Sequence, residues 1–165
     1  MIVIADAGPI LHLFWVDALL WALPPQEIIV VDAVRQEVAA YAPDALSDDR
    51  LSHAVIGVPI SPLLEGKRLH TGEIAALSYA LTKTEEDQVL ILSDDHRARQ
   101  VCRSLVLPFI GSIGLIVEAL HAGLVSQETA QTALHDLPTR GRLYVKPTVI
   151  AQALAVLESE TGGIA

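Results

Sequence analysis

Three short apolar runs, each four residues long, recur along the chain and narrow its possible folds more than any other feature: Ile2–Ala5, Ile28–Val31 and Val89–Leu92. Their length is typical of strands, and runs without polar alternation are typical of strands that are covered on both faces. Apolar residues at helical spacing follow each run. Strands that alternate with helices predict an α/β fold with a parallel sheet and helices on both of its faces.

Length and composition predict one domain. The chain has 165 residues, of which 52% are hydrophobic, enough to fill a single core. We therefore expect one domain over residues 1–160 and a frayed tail over 161–165. The only cysteine, Cys102, excludes an internal disulfide framework and a Cys-rich zinc site, and it fits a reducing compartment.

The apolar stretch over residues 1–23 resembles a membrane segment only superficially. Asp6, Pro9 and Asp17 interrupt it, and no basic residue precedes Arg35. We expect neither a signal peptide nor a membrane span, and we expect a cytoplasmic protein.

Weaker patterns predict the remaining elements. Val55–Ile60 is a candidate minor strand inside a connection rich in Pro, Asp and Ser, and Leu107–Ile110 is a further short strand. Later helices are expected from Gly111 to about His121, from Ser126 to Leu137, and over Thr148–Leu157.

Acidic residues stand where the predicted strands end. Asp6 directly follows the first run, and Asp94 and Asp95 follow the third after one serine. Ligands of open parallel sheets gather at the carboxyl ends of the strands. Glu37 and Glu73 lie on predicted helices that such a fold can bring to the same edge. The sequence thus predicts a convergence of five carboxylates.

Clustered carboxylates raise one another's pKa unless a cation neutralises them, and oxygen ligands alone suit Mg²⁺ or Mn²⁺. Each acid also has an ordinary structural explanation. Asp6 can cap a helix, Glu37 can be an exposed helix residue, and Glu73 can complement a helix dipole. The adjacent Asp94 and Asp95 need an additional reason, because like charges close together are unfavourable.

Several other kinds of site are not indicated. There is no His-Glu-x-x-His pattern and no Gly-x-Ser-x-Gly elbow, and the histidines are scattered: His12, His53, His70, His96, His121 and His135. A net charge of −9 argues against a broad basic surface for nucleic acid. Any contact with polyanions must therefore be local or metal-mediated. Arg99 and Arg103 share a helix face and can hold a phosphate backbone beside the acids, although a solvated face is the alternative.

The chain resembles the PIN-domain proteins, in particular short prokaryotic PIN-like proteins related to the toxins of type II toxin–antitoxin modules. The resemblance covers nearly the whole chain and depends on the order and spacing of five segments: Ile2–Leu11, Val34–Val38, Gly72–Leu77, Leu92–Arg99 and Gly111–Leu115.

This resemblance implies a three-layer α/β/α sandwich around a mostly parallel sheet. It also implies Mg²⁺- or Mn²⁺-dependent cleavage of RNA phosphodiester bonds by four acids: Asp6, Glu37, Glu73 and Asp95. Asp6, Asp95, Asp94 and Glu73 are the implied metal ligands, with Asp94 as an additional acid near the metal. Ser93 is the accompanying hydroxyl, and with Arg99 and Arg103 it completes the expected contacts to substrate.

The expected partners are an RNA substrate, a small antitoxin protein and a second copy of the chain in a homodimer. A different class of function is a PIN-like module that has lost efficient catalysis and binds protein or RNA. A receiver-type signalling domain is disfavoured, because its acidic pair follows the first strand. Here Asp94 and Asp95 follow Val89–Leu92, which is the fourth predicted strand when the minor strand Val55–Ile60 is counted.

Overall fold

A computed structural model describes residues 1–51, 54–84 and 87–161 of the chain. Its sheet has five strands in the order β3-β2-β1-β4-β5, and every neighbouring pair is parallel. The strands are β1 (Ile2–Ala5), β2 (Ile28–Val31), β3 (Ala54–Val55), β4 (Val89–Leu92) and β5 (Phe109–Ile110). All three runs identified in the sequence are thus strands with the expected bounds, and the expected parallel sheet is confirmed.

The described residues form eight α-helices: α1 (Ala7–Trp15), α2 (Leu19–Ala22), α3 (Asp32–Tyr41), α4 (Thr71–Lys83), α5 (His96–Ser104), α6 (Ser112–His121), α7 (Gln127–Asp136) and α8 (Pro147–Thr161). The sheet flanked by helices confirms the expected α/β sandwich. Among the described residues, no helix is long and apolar enough to cross a membrane.

By its internal contacts the chain divides into two compact units, and the division falls within α1. The first unit comprises residues 1–11 and 24–111 and holds the whole sheet together with α3, α4 and α5. The second comprises residues 12–23 and 112–165, in which α6 packs against α2, α7 and α8. The single domain expected over residues 1–160 stays a prediction.

The middle strands form the core of the first unit because they are apolar on both faces. Val3, Ile4 and Ala5 of β1 have no solvent exposure, and Leu92 of β4 has none. The register pairs Ala5 with Leu92, so β1 and β4 end side by side. The residue after each strand therefore emerges at the same sheet edge.

Two of the weaker strands differ from their expected bounds. The minor strand is Ala54–Val55 instead of Val55–Ile60, because Gly57 turns the chain at φ +70° and Pro59 lacks an N–H for the ladder. The last strand begins at Phe109 instead of Leu107. Leu107 belongs to the end of α5, where its N–H donates to the Cys102 carbonyl at 2.9 Å.

The end of α5 is a Schellman motif with an unusual residue at its left-handed position. Val106 donates its N–H to the Arg103 carbonyl at 3.2 Å and has φ +56°. Glycine is usual there, because a β-branched residue at positive φ is sterically strained. Val106 is also 87% exposed, so it gains little from burial.

Side chains fix the irregular connection between α3 and α4 locally. Arg50 forms a bidentate pair with Asp48, with contacts of 2.5 and 2.9 Å, and also donates to the Pro24 carbonyl at 3.4 Å. Arg35 donates to the Leu51 carbonyl at 2.7 Å. Residue His53 and residues 162–165 of the expected frayed tail lie outside the described residues.

Candidate active site

The first acid, Asp6, lies at the edge where β1 and β4 end. Its backbone N–H donates to the Leu92 carbonyl at 2.9 Å, which continues the strand pairing by one residue. The Ser93 hydroxyl donates to Asp6 Oδ2 at 3.3 Å, and the Ala7 N–H donates to Asp6 Oδ1 at 2.8 Å. Both Asp6 and Ser93 are buried. The parallel register therefore places this carboxylate and this hydroxyl in contact.

Glu73 enters the site from the first turn of α4. Its Oε2 accepts a hydrogen bond from the His70 N–H at 2.8 Å, so the carboxylate caps the start of the helix. The side chain is nevertheless only 7% exposed, which is unusual for a first-turn glutamate. Glu73 therefore stabilises the start of α4, as an ordinary structural role requires, and also lies in the candidate site.

Glu37 reaches the site because α3 and α4 approach each other at Gly72. A Cβ at Gly72 would lie 3.3 Å from Glu37 Oε2 and 3.8 Å from Asp6 Oδ1. The same Cβ would lie 3.2 Å from a methyl group of Val34. Two carboxylates therefore converge on a space that exists only because residue 72 has no side chain.

The acids of the site repel one another, and this repulsion contributes to the pKa shifts of Asp6 and Glu73. Burial, first, and then repulsion from Glu73 raise the pKa of Asp6 from 3.8 to about 7, and Glu37 adds to the rise. The Ala7 N–H and the Ser93 hydroxyl oppose that shift. Burial also raises the pKa of Glu73, with repulsion from Asp95 and Glu37 contributing, while the His70 N–H opposes the rise.

The adjacent acids Asp94 and Asp95 turn towards different neighbours. Asp95 caps α5, its Oδ1 accepting a hydrogen bond from the Ala98 N–H at 2.8 Å. Asp94 lies against the turn after β5, where a Cβ on Gly111 would be 2.5 Å from Asp94 Oδ1. Asp95 acts on the Glu73 carboxyl. The two neighbouring acids thus contact different parts of the fold.

A family model described as a PIN domain matches residues 2–159. The chain belongs to the PIN-domain family. The resemblance to PIN-domain proteins is thereby confirmed, and with it a nuclease-type fold, since PIN domains are generally nucleases. The relation to toxins of toxin–antitoxin modules stays a prediction. No curated protein and no solved structure matches the chain significantly.

The acids of this PIN domain suit a hard divalent cation by their chemistry. They offer oxygen atoms only, as Mg²⁺ and Mn²⁺ prefer. The buried Asp6 and Glu73 repel each other, and carboxylate oxygens of Asp6 and Glu37 both lie close to Gly72. Within the described ranges, no three Asp, Glu, His or Cys side chains already stand in a metal-binding arrangement. The donor set therefore fits the metal, while full coordination requires side chains to close around it.

The two arginines expected to contact substrate have different environments. Arg99 is half-buried, and its Nε is buried without a hydrogen-bond partner among the described residues. Arg103 stacks its guanidinium over the Phe109 ring, 5.0 Å from the ring centre. Their roles in substrate binding stay predictions, as do the catalytic roles of the acids.

The structure also adds residues that the sequence patterns did not single out. Glu37 lies in an open groove whose other lining residues are Ala33, Gln36, Tyr41, His70, Thr71 and Gly72. Tyr41 is 65% exposed and stands four residues after Glu37, on the same helix face. That i, i+4 spacing was the available signal, but tyrosine and glutamate at this spacing are common on exposed helices.

Proposed function

We propose that this PIN domain is a Mg²⁺- or Mn²⁺-dependent endoribonuclease that hydrolyses RNA phosphodiester bonds. The observation that carries the proposal is geometric: the buried carboxylate of Asp6 stands at the end of β1, hydrogen-bonded to the Ser93 hydroxyl, and both it and Glu37 lie close to Gly72. Burial and repulsion from the buried Glu73 raise the pKa of Asp6 to about 7, in keeping with that placement. Buried, mutually repelling acids are costly to a fold and are concentrated at functional sites. A bound cation removes that repulsion.

Asp6, Glu73 and Asp95 would hold the metal, with Asp94 at the neighbouring strand end and Glu37 closing over Gly72. When bound, the metal supplies an activated water and stabilises the leaving oxygen. Ser93 holds Asp6 Oδ2, and the Ala7 N–H holds Oδ1, so the carboxylate is oriented before a ligand arrives. The products would carry 3′-hydroxyl and 5′-phosphate ends.

Substrate contacts are available on both sides of the acids. Arg99 stands one helical turn after Asp95 and has an unpartnered Nε within the described part of the chain, which suits a phosphate oxygen. Tyr41 presents an exposed ring beside Glu37 on which a nucleobase can stack. Arg103 would add a positive charge to the same helix from its place over Phe109.

The test is cleavage of a labelled structured RNA by the wild type with Mn²⁺, with EDTA, and by Asp6→Asn under the same conditions. We expect metal-dependent cleavage that Asp6→Asn abolishes. Asp44→Asn makes the same charge change at an exposed position in the same unit, and it is expected to cleave like the wild type. Equal trace activity in the wild type and Asp6→Asn would mean that the cleavage comes from a contaminant.

A PIN-like binding module with weak or no catalysis is the second candidate. It is favoured by the absence, in the described ranges, of three side chains already arranged to hold a metal. Titration calorimetry with Mn²⁺ separates the two. Binding that Asp6→Asn removes supports the nuclease, and no detectable binding at millimolar Mn²⁺ supports the module.

We also propose the partners that the family resemblance implies, a small antitoxin and a second copy of the chain. The groove that Glu37 lines would receive a basic side chain of the antitoxin, since this side chain and the Glu37 carboxylate have opposite charges. Size-exclusion chromatography with light scattering tests the homodimer, and a monomer at micromolar concentration would refute it.

A further inference from the structure

A second groove, distinct from the one that Glu37 lines, has three cations among its six lining residues. Lys67 and Arg68 form one wall, from the connection that precedes α4. Arg97 on α5 forms the other, together with Gln100, Val101 and Ser104. Arg97 Nη1 donates to the Arg68 carbonyl at 3.4 Å, which joins the two walls at one end. We call this feature the basic groove.

The three cations of the basic groove have no acidic partner among the described residues, whereas two other arginines of the chain are paired with acids. Arg50 pairs with Asp48, and Arg140 pairs with Asp17 and Asp136. Lys67, Arg68 and Arg97, all exposed, form no ion pair with any residue in the described ranges. Three uncompensated positive charges in one groove are unfavourable by themselves. In a chain with a net charge of −9, such a concentration points to an anionic ligand.

The basic groove begins where the acid cluster ends. Arg97 is two residues after Asp95, and Arg68 is two residues before His70, whose N–H holds Glu73. Successive Cα atoms are about 3.8 Å apart, so Arg97 lies within roughly 8 Å of the Asp95 Cα, and Arg68 lies within roughly 8 Å of the His70 Cα. From Arg97 to Ser104 the groove follows α5 for about 10 Å at 1.5 Å per residue.

We infer that the basic groove binds the sugar-phosphate backbone of single-stranded RNA on one side of the bond to be cleaved. The inference rests on the proposed function for the identity of the ligand. Lys67, Arg68 and Arg97 would neutralise phosphates, and the amide of Gln100 and the hydroxyl of Ser104 offer polar contacts to ribose. The cations of the groove would offset the repulsion between the RNA phosphates and the nearby carboxylates, so that the polyanion can bind beside the acids.

The test compares Lys67→Ala/Arg97→Ala, one cation from each wall, with Lys83→Ala/Lys146→Ala, which removes the same charge elsewhere. Binding of a fluorescently labelled single-stranded RNA is followed by anisotropy in EDTA, so that no cleavage occurs, between 50 and 200 mM salt. Each phosphate contact on a single strand contributes about 0.7 to the salt slope, so the groove variant should lose about 1.4. Across this salt range, the wild type should therefore lose roughly sevenfold more affinity than the groove variant.

The control variant is expected to keep the wild-type slope, and so is Lys67→Arg/Arg97→Lys, which preserves charge. Circular dichroism melting checks that every variant is folded. A groove variant with the wild-type slope, or a wild type that does not bind this RNA, overturns the inference. Cleavage with Mn²⁺ is measured separately. If the groove variant has a smaller salt slope but the wild type never cleaves RNA, the basic groove is supported and the nuclease is refuted. If the wild type cleaves RNA but the groove variant keeps the wild-type slope, the nuclease is supported and the inference about the groove is refuted.

Discussion

Replacing Asp6 with asparagine is expected to stabilise the metal-free protein while it destroys the proposed activity. Burial and Glu73 raise the pKa of Asp6 from 3.8 to about 7, so ionising this carboxyl opposes folding. Below pH 3.8 the group is protonated in both the folded and unfolded states and contributes nothing. As the pH rises towards 7 the folded state binds the extra proton, and stability falls. Above pH 7 the destabilisation is complete.

The size of the effect follows from the shift. A difference of about three pKa units corresponds to about 4 kcal/mol at pH 8, and to about 2 kcal/mol at pH 5, where the unfolded state is already ionised. Asparagine carries no charge, and its amide oxygen can still accept the Ala7 N–H. Asp6→Asn should therefore gain most of that free energy, and it should gain more at pH 8.

Urea denaturation in EDTA at pH 5 and pH 8 measures this difference directly. With a slope of about 2 kcal/mol per molar urea, the midpoint of Asp6→Asn should exceed that of the wild type by about 2 M at pH 8 and about 1 M at pH 5. Asp44→Asn, at an exposed site, is expected to leave both midpoints unchanged. Two results would refute the conclusion that ionised Asp6 destabilises the fold. One is a midpoint for Asp6→Asn that is no higher than that of the wild type at pH 8, and the other is an increase in midpoint that does not depend on pH.

Three further perturbations test other parts of the structure. Gly72→Ala should reduce Mn²⁺-dependent cleavage at least tenfold, because its Cβ displaces Glu37. The free energy of unfolding measured in urea should stay within about 1 kcal/mol of the wild type, since alanine favours helices. Loss of both activity and stability would indicate misfolding instead. Val106→Gly should stabilise by about 1 kcal/mol in the same urea assay by relieving strain at φ +56°, and destabilisation would contradict the Schellman assignment. Arg50→Ala should cost about 1 to 2 kcal/mol at pH 7. Because Arg50 lowers the pKa of Asp48, the loss should shrink as the pH falls through that pKa, and a loss independent of pH would exclude the ion pair as its cause.

Local patterns were sufficient to predict most of the fold. Four-residue apolar runs predicted β1, β2 and β4 with the bounds found, because a strand buried on both faces has no room for a polar side chain. The first-turn Glu73 was likewise visible, since the interactions at a helix start extend over only three or four residues. The predicted bounds of β3 and β5 were wrong because residues with a composition typical of strands form a turn after β3 and the end of α5 before β5.

The tertiary structure alone decided how these residues meet. The parallel register of β1 and β4 brings the Ser93 hydroxyl to Asp6 across 87 positions of sequence, and the approach of α3 to α4 over Gly72 brings in Glu37. Packing also placed Asp94 against Gly111 and joined Arg97 to Arg68, 29 residues apart, in the basic groove. The sequence by itself determined which residues form strands, caps and charges, because those properties depend on near neighbours. Which of the charges share a site depends on how the elements pack, and no pattern within one element contains that information.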